Sequence, residues 1–143
     1  MKKLLSLSND QKKLIFIIFS LLVFGSLLFI GSVSVNFGEE TVTISASMTS
    51  GSELLYDNIR GVLLETDFDP GSRIFGIGSP RLKSGDFKNA KYGDYKLYAY
   101  AKSDTFVVIQ DQAGAIYAFG LDTAEATIEA YETLLSHCDN LAS

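Results

Sequence analysis

Residues 14–35 read LIFIIFSLLVFGSLLFIGSVSV, 22 positions with no charge and no proline. A helix of that length measures about 33 Å at 1.5 Å per residue, against a hydrocarbon core of roughly 30 Å. The run is longer than the apolar stretch of about 7–15 residues in a cleavable signal peptide. It therefore predicts one uncleaved transmembrane helix over residues 14–35, and the rest of the chain divides around it. Lys2, Lys3, Lys12 and Lys13 precede it, whereas Glu39 and Glu40 follow and the next cation is Arg60. That asymmetry predicts a cytoplasmic basic tail over residues 1–13 and a domain on the far side of a cell membrane. Residues 36–40 then form a short juxtamembrane joint, and residues 41–143 form one small domain.

Charge narrows the function of that domain. From residue 36 onward there are 8 basic and 16 acidic side chains, a net −8. An acidic domain argues against nucleic acid as a partner. The basic side chains are nevertheless gathered: Arg73, Arg81, Lys83, Lys88 and Lys91 fall in one stretch, and residues 103–143 contain no Lys or Arg. Those five residues form a candidate rim for an anionic lipid headgroup or wall polymer.

The domain reads as a series of strands closed by one helix. Residues 41–48, TVTISASM, alternate apolar and polar with period two, as a half-buried strand does. Further strands are expected at 53–56, 59–67, 73–78, 95–101, 105–111 and 115–121, with a loop-rich stretch at 79–93 and a hairpin turn at Ala113-Gly114. Residues 122–125 have the spacing of a capping box, with Asp122 as the cap. Ala124, Ile128, Tyr131, Leu135 and Cys138 then recur at helical spacing as one apolar stripe. Tyr98, Tyr100 and Tyr117 crowd the last strands, and they are the candidate partner surface, since tyrosine is enriched at interfaces.

Catalytic and metal chemistry find little to work with. The single histidine, His137, adjoins the single cysteine, Cys138, and neighbours on a helix do not face each other. One His and one Cys do not make a closed zinc site. Calcium ligation from Asp67 fails, because an EF-hand loop would need Gly at Ser72 and Glu at Gly78. Gly76-Ile77-Gly78 has neither the third glycine nor the following helix of a dinucleotide site. No catalytic residue, metal or cofactor is expected.

Several segments carry a resemblance: Tyr56-Asp57-Asn58-Ile59 entering a strand, then Gly71-Ser72-Arg73-Ile74-Phe75-Gly76-Ile77-Gly78, then Gly85-Asp86-Phe87, and Gly93-Asp94-Tyr95 opening another strand before the helix. With these, about 100 of the 143 residues resemble the bacterial PH-like (pleckstrin-homology-like) domain families. The resemblance implies a mainly β fold with one C-terminal α-helix, a partly open barrel of six or seven antiparallel strands. It implies no enzyme. Eukaryotic relatives of the fold bind phosphoinositides through a basic loop between their first two strands. Here that loop is expected at residues 49–52, which hold no basic residue. The expected function is a single-pass membrane protein presenting an extracytoplasmic PH-like module. Its partner would be a second copy or another membrane protein, with the anionic headgroup or polymer as the alternative.

Overall fold

A computed structural model describes residues 6–27 and 29–138; Lys2 and Lys3 of the expected tail lie outside them. The chain forms two compact units, one ending at Ile30 and one beginning at Gly31.

The first unit is helix α1, Asn9–Leu27. Ser8 and Gln11 open it with a reciprocal capping box. The Gln11 N–H donates to Ser8 Oγ at 3.2 Å, and the Ser8 N–H donates to Gln11 Oε1 at 3.0 Å. None of its residues is buried. The helix differs from the expected span at both ends. It starts early enough to include Asp10, Lys12 and Lys13, and it stops at Leu27. Among the described residues no helix is long and apolar enough to cross a membrane. Beyond it, Gly31 takes a positive φ of 131°, and Val33–Phe37 is a strand, β1. The last residues assigned to the span and the first of the joint are thus part of a sheet. Val33, Val35 and Phe37 alternate with Ser34 and Asn36, so they face the core when paired to a neighbouring strand.

That neighbour is β2, Thr41–Ala46, which pairs on its other side with β3, Ser52–Leu55. Val33, Val35 and Phe37 stand opposite Ala46, Ile44 and Val42. A 3₁₀ turn, Tyr56–Asn58, leads out of this three-stranded sheet. The remaining strands are β4 Ile59–Thr66, β5 Ser72–Gly78, β6 Leu82–Asn89, β7 Gly93–Tyr100, β8 Thr105–Asp111 and β9 Ile116–Gly120. They form one sheet in the order β4-β8-β9-β7-β6-β5. Among the described residues the expected six or seven antiparallel strands are therefore nine, in two sheets, and β7 runs parallel to β9. The expected loop at 79–93 contains β6, a full sheet member paired on both sides.

Edge strands β4 and β5 of the large sheet do not pair, so the sheet stays open. Only residues 67–71 join them. Six flat strands at about 4.8 Å spacing would put the edges about 24 Å apart. Five linking residues, turned at Pro70-Gly71, reach less than that, so the sheet is rolled. The link carries Phe68 onto the sheet, with ring centroids 4.6 Å from Phe106 and 5.7 Å from Tyr95. The Tyr95 hydroxyl donates to the Pro70 carbonyl at 2.7 Å.

Two cores result, one on each face of the large sheet. The first joins the small sheet to Ile59, Leu82, Tyr98, Tyr100, Val107, Ile109 and Phe119. The second gathers Phe87, Tyr95, Leu97, Ala99, Phe106, Val108 and Ala118. Both faces of β7 are apolar for this reason: it is an interior strand with a core on either side. Helix α2, Ala124–His137, packs on the first core. Its cap is Thr123 rather than Asp122: Thr123 Oγ1 accepts from the Ala126 N–H at 3.1 Å. The buried stripe is shifted accordingly, to Thr127, Ala130, Leu134 and Cys138, while Ile128 is exposed. His137 stacks on Tyr56 at 4.6 Å and on Phe37 at 5.7 Å.

Candidate interaction surface

The five basic residues do not form one rim. Strand β6 separates them, since Lys83 and Lys88 lie near its opposite ends. At the Lys88 end, Lys91 is held by Glu65, with Nζ 2.5 Å from Oε1, and the Tyr92 hydroxyl donates to the same oxygen. Burial alone would raise the Glu65 carboxyl; the bonds from Lys91 and Tyr92 outweigh it and hold the group below the ordinary carboxylate range. A depressed carboxyl stabilises the fold above its unfolded pKa, and that stabilisation is lost as pH falls through the folded value. Glu65→Gln should therefore weaken the acid dependence of stability below about pH 4.5. Thermal melts between neutral and acid pH would check this: equal slopes for wild type and variant would show that the pair contributes nothing.

At the other end three of the five come together. The Arg73 guanidinium runs along β5 to lie over Gly78, and Gly78 stands opposite Lys83. Arg81 sits in the β5–β6 turn, where its Nε donates to the Gly31 carbonyl at 2.6 Å and its guanidinium lies 5.2 Å from the centre of the Tyr100 ring.

Two of the three candidate tyrosines are not on the surface. Tyr98 is 2% exposed, with its hydroxyl 2.7 Å from Ser52 Oγ and 3.1 Å from the Ser50 carbonyl. Tyr100 is also buried, and its hydroxyl accepts from the Val33 N–H at 3.2 Å. These rings fasten the small sheet to the large one. Tyr117 alone remains half-buried, beside Lys96 on the neighbouring strand.

Exposed apolar side chains of the domain lie on β3 and β4, at Leu55 (52%) and Leu63 (54%), and most openly on β5 and the β2–β3 turn. Ile74 is 59% and Phe75 77% exposed, and Met48, in the β2–β3 turn, is 83% exposed. Two clefts flank this strand. One, of about 370 Å³, is lined by Ile74, Asp94, Ile116 and Tyr117. The other, of about 340 Å³, lies between Met48, Thr49 and Ser50 and the side chains of Phe75, Ile77 and Tyr98. Asp86 and Lys96, directly opposed on β6 and β7 and 3.1 Å apart, line both. The bond from Asp86 raises the Lys96 ammonium above the ordinary lysine value.

The exposure of both Ile74 and Phe75 follows from a register shift between Arg73 and Phe75. A bulge adds a residue to one strand and re-aims its side chains. Adjacent apolar residues followed by glycine were the available signal, because consecutive strand residues cannot share a face.

A family model described as Bacterial PH domain matches residues 33–134. The chain belongs to the bacterial PH domain family. The match begins at Val33, the first residue of β1, so this PH domain includes the strand hidden in the uncharged run. No curated protein and no solved structure matches the chain. In this PH domain the first two strands are β1 and β2, and the loop between them contains Glu39 and Glu40 and no cation.

Proposed function

We propose that this chain is a non-enzymatic interaction module, held at a cell membrane by its N-terminal apolar segment, that binds an extended segment of a partner protein along β5. The exposed edge at Ile74 and Phe75 carries this reading. Among the described residues strand β5 pairs only with β6, which leaves one row of its backbone N–H and C=O groups to accept a further strand. Family membership favours binding over catalysis.

The membrane assignment rests on the part of the uncharged run that precedes the domain, residues 14–30, and on the exposure of every large apolar side chain of α1. The flanking lysines favour a cytoplasmic N-terminus and an extracytoplasmic PH domain. An exposed cysteine at Gln112 would test topology. Labelling by an impermeant thiol reagent on intact cells supports it, and labelling only after lysis overturns it. Native Cys138 is 3% exposed and gives the background.

A photo-crosslinking residue placed at Phe75 tests the partner surface. A discrete protein adduct is expected from position 75 and none from the exposed helix position Ile128. Introducing Asp at Ile74 should reduce the adduct at least tenfold while the fold stays intact. Equal adducts from both positions would remove the edge as a specific site.

A further inference from the structure

We infer that the end of the PH domain where the chain enters is a contact face for an anionic lipid bilayer, with Arg73, Arg81 and Lys83 set to meet headgroup phosphates. This rests on the reading that the upstream apolar segment is embedded in a membrane. The domain begins at Gly31, directly after Phe29 and Ile30. Around Gly31 lie Ser47, Leu82 and Arg81, and Ser32 and Ser47 exchange backbone and side-chain bonds at 3.0 Å. The same end therefore holds the β2–β3 turn and the β5–β6 turn. It also holds the β7–β8 turn, because the Ala101 N–H donates to the Arg81 carbonyl at 2.7 Å.

Charge at this end is basic at Arg73, Arg81 and Lys83 and mixed around Lys102, which lines a cleft with Asp104 and Asp122. Arg73 reaches it along β5, Arg81 and Lys83 belong to it, and Lys102 lies in the β7–β8 turn. The turn's carboxylate, Asp104, accepts from Thr105 Oγ1 at 3.1 Å. Among the described residues the ion pairs are Lys91–Glu65 and Lys96–Asp86, and neither involves these four cations. In the β2–β3 turn at this end Met48 takes a positive φ of 68° and is left 83% exposed. An exposed apolar tip at the same end as these cations matches the boundary between acyl chains and phosphates. Each basic residue near an anionic leaflet is worth roughly fivefold in association. The anchoring segment supplies proximity, and the basic face sets which end of the domain rests on the lipid.

The test uses the full chain reconstituted in vesicles of phosphatidylcholine, with and without phosphatidylglycerol, the membranes carrying a lipid-borne quencher. A fluorescent probe is placed on Met48→Cys or, at the opposite end of β8, on Gln112→Cys. Quenching is expected at position 48 and not at 112. It should be several-fold stronger with phosphatidylglycerol, and lost on combined charge reversal of Arg73, Arg81 and Lys83. Circular dichroism confirms that the reversed variant folds. Equal quenching at the two positions, indifference to charge reversal, or binding of soluble polyphosphate without quenching at 48 would each overturn the inference. A chain that washes off the vesicles at alkaline pH, yet is quenched at 48 beforehand, overturns the anchor but supports the face.

Discussion

Gly85→Val is expected to destabilise the PH domain by about 2–6 kcal/mol, a large share of the about 5–15 kcal/mol of a typical domain. Gly76 and Gly85 stand directly opposite each other on β5 and β6, with φ of 128° and 126°. Side chains avoid that region, and holding one there costs about 1–3 kcal/mol. A Cβ on Gly85 would also run into the Phe75 carbonyl and into the Cα of Gly76, 2.6 Å away, and overpacking adds about 1–3 kcal/mol. Neither obstacle is the end of a flexible side chain, so the backbone itself would have to part. Gly61→Ala, where nothing lies within 4 Å of the added carbon, is the comparison and should stay within about 0.5 kcal/mol. Urea denaturation of both variants checks the difference; a Gly85 variant as stable as wild type would show that the two strands need not approach so closely.

Phe119→Ala should cost about 3–5 kcal/mol, the range for emptying a buried phenylalanine site. Phe119 is 0% exposed at the centre of the first core, opposite Val107 on β8 and next to Tyr98 on β7. Both neighbouring strands hold their positions through hydrogen bonds, so the site cannot collapse to fill the void. Tyr117→Ala, two residues away on the same face but half-buried, should cost markedly less. Equal losses at the two positions, read from denaturation midpoints, would contradict the assignment of Phe119 to the core and Tyr117 to the cleft.

Much of the fold was legible in the residues. Strand β2 alternates cleanly, β8 spans the expected residues 105–111, and the terminal helix announces itself by its change of period. What was missed has physical causes. Val33, Val35 and Phe37 are equally at home in lipid and in a sheet, so their continuity with an uncharged run concealed β1. Strand β6 contains Lys83, Ser84, Gly85 and Asp86 in sequence, which reads as loop. Its strand character comes from ladders on both sides, which are tertiary in origin. The helix stripe moved because Thr127 and Ala130 are buried where larger apolar neighbours were expected, Thr127 Oγ1 accepting from the Leu121 N–H at 3.0 Å.

The candidate surface was legible by residue type but not by grouping. Arg73, Arg81 and Lys83 converge only through the register of β5 on β6. Tyr98 and Tyr100 were good interface chemistry turned inward, because a small sheet needed hydroxyl partners for its own edge and backbone. Ile74 and Phe75 became surface through a bulge that no periodicity announces.

The place of β9 sets the order in which this molecule can be made. Its residues 116–120 are the last strand in the chain, yet they lie between β8 and β7 in the middle of the large sheet. Until they leave the ribosome, β4–β8 and β5–β6–β7 share no ladder, and each half presents an open edge. Completion must wait until residue 120 has been made, so a domain carried across a membrane during synthesis would travel without this sheet and assemble it only on arrival.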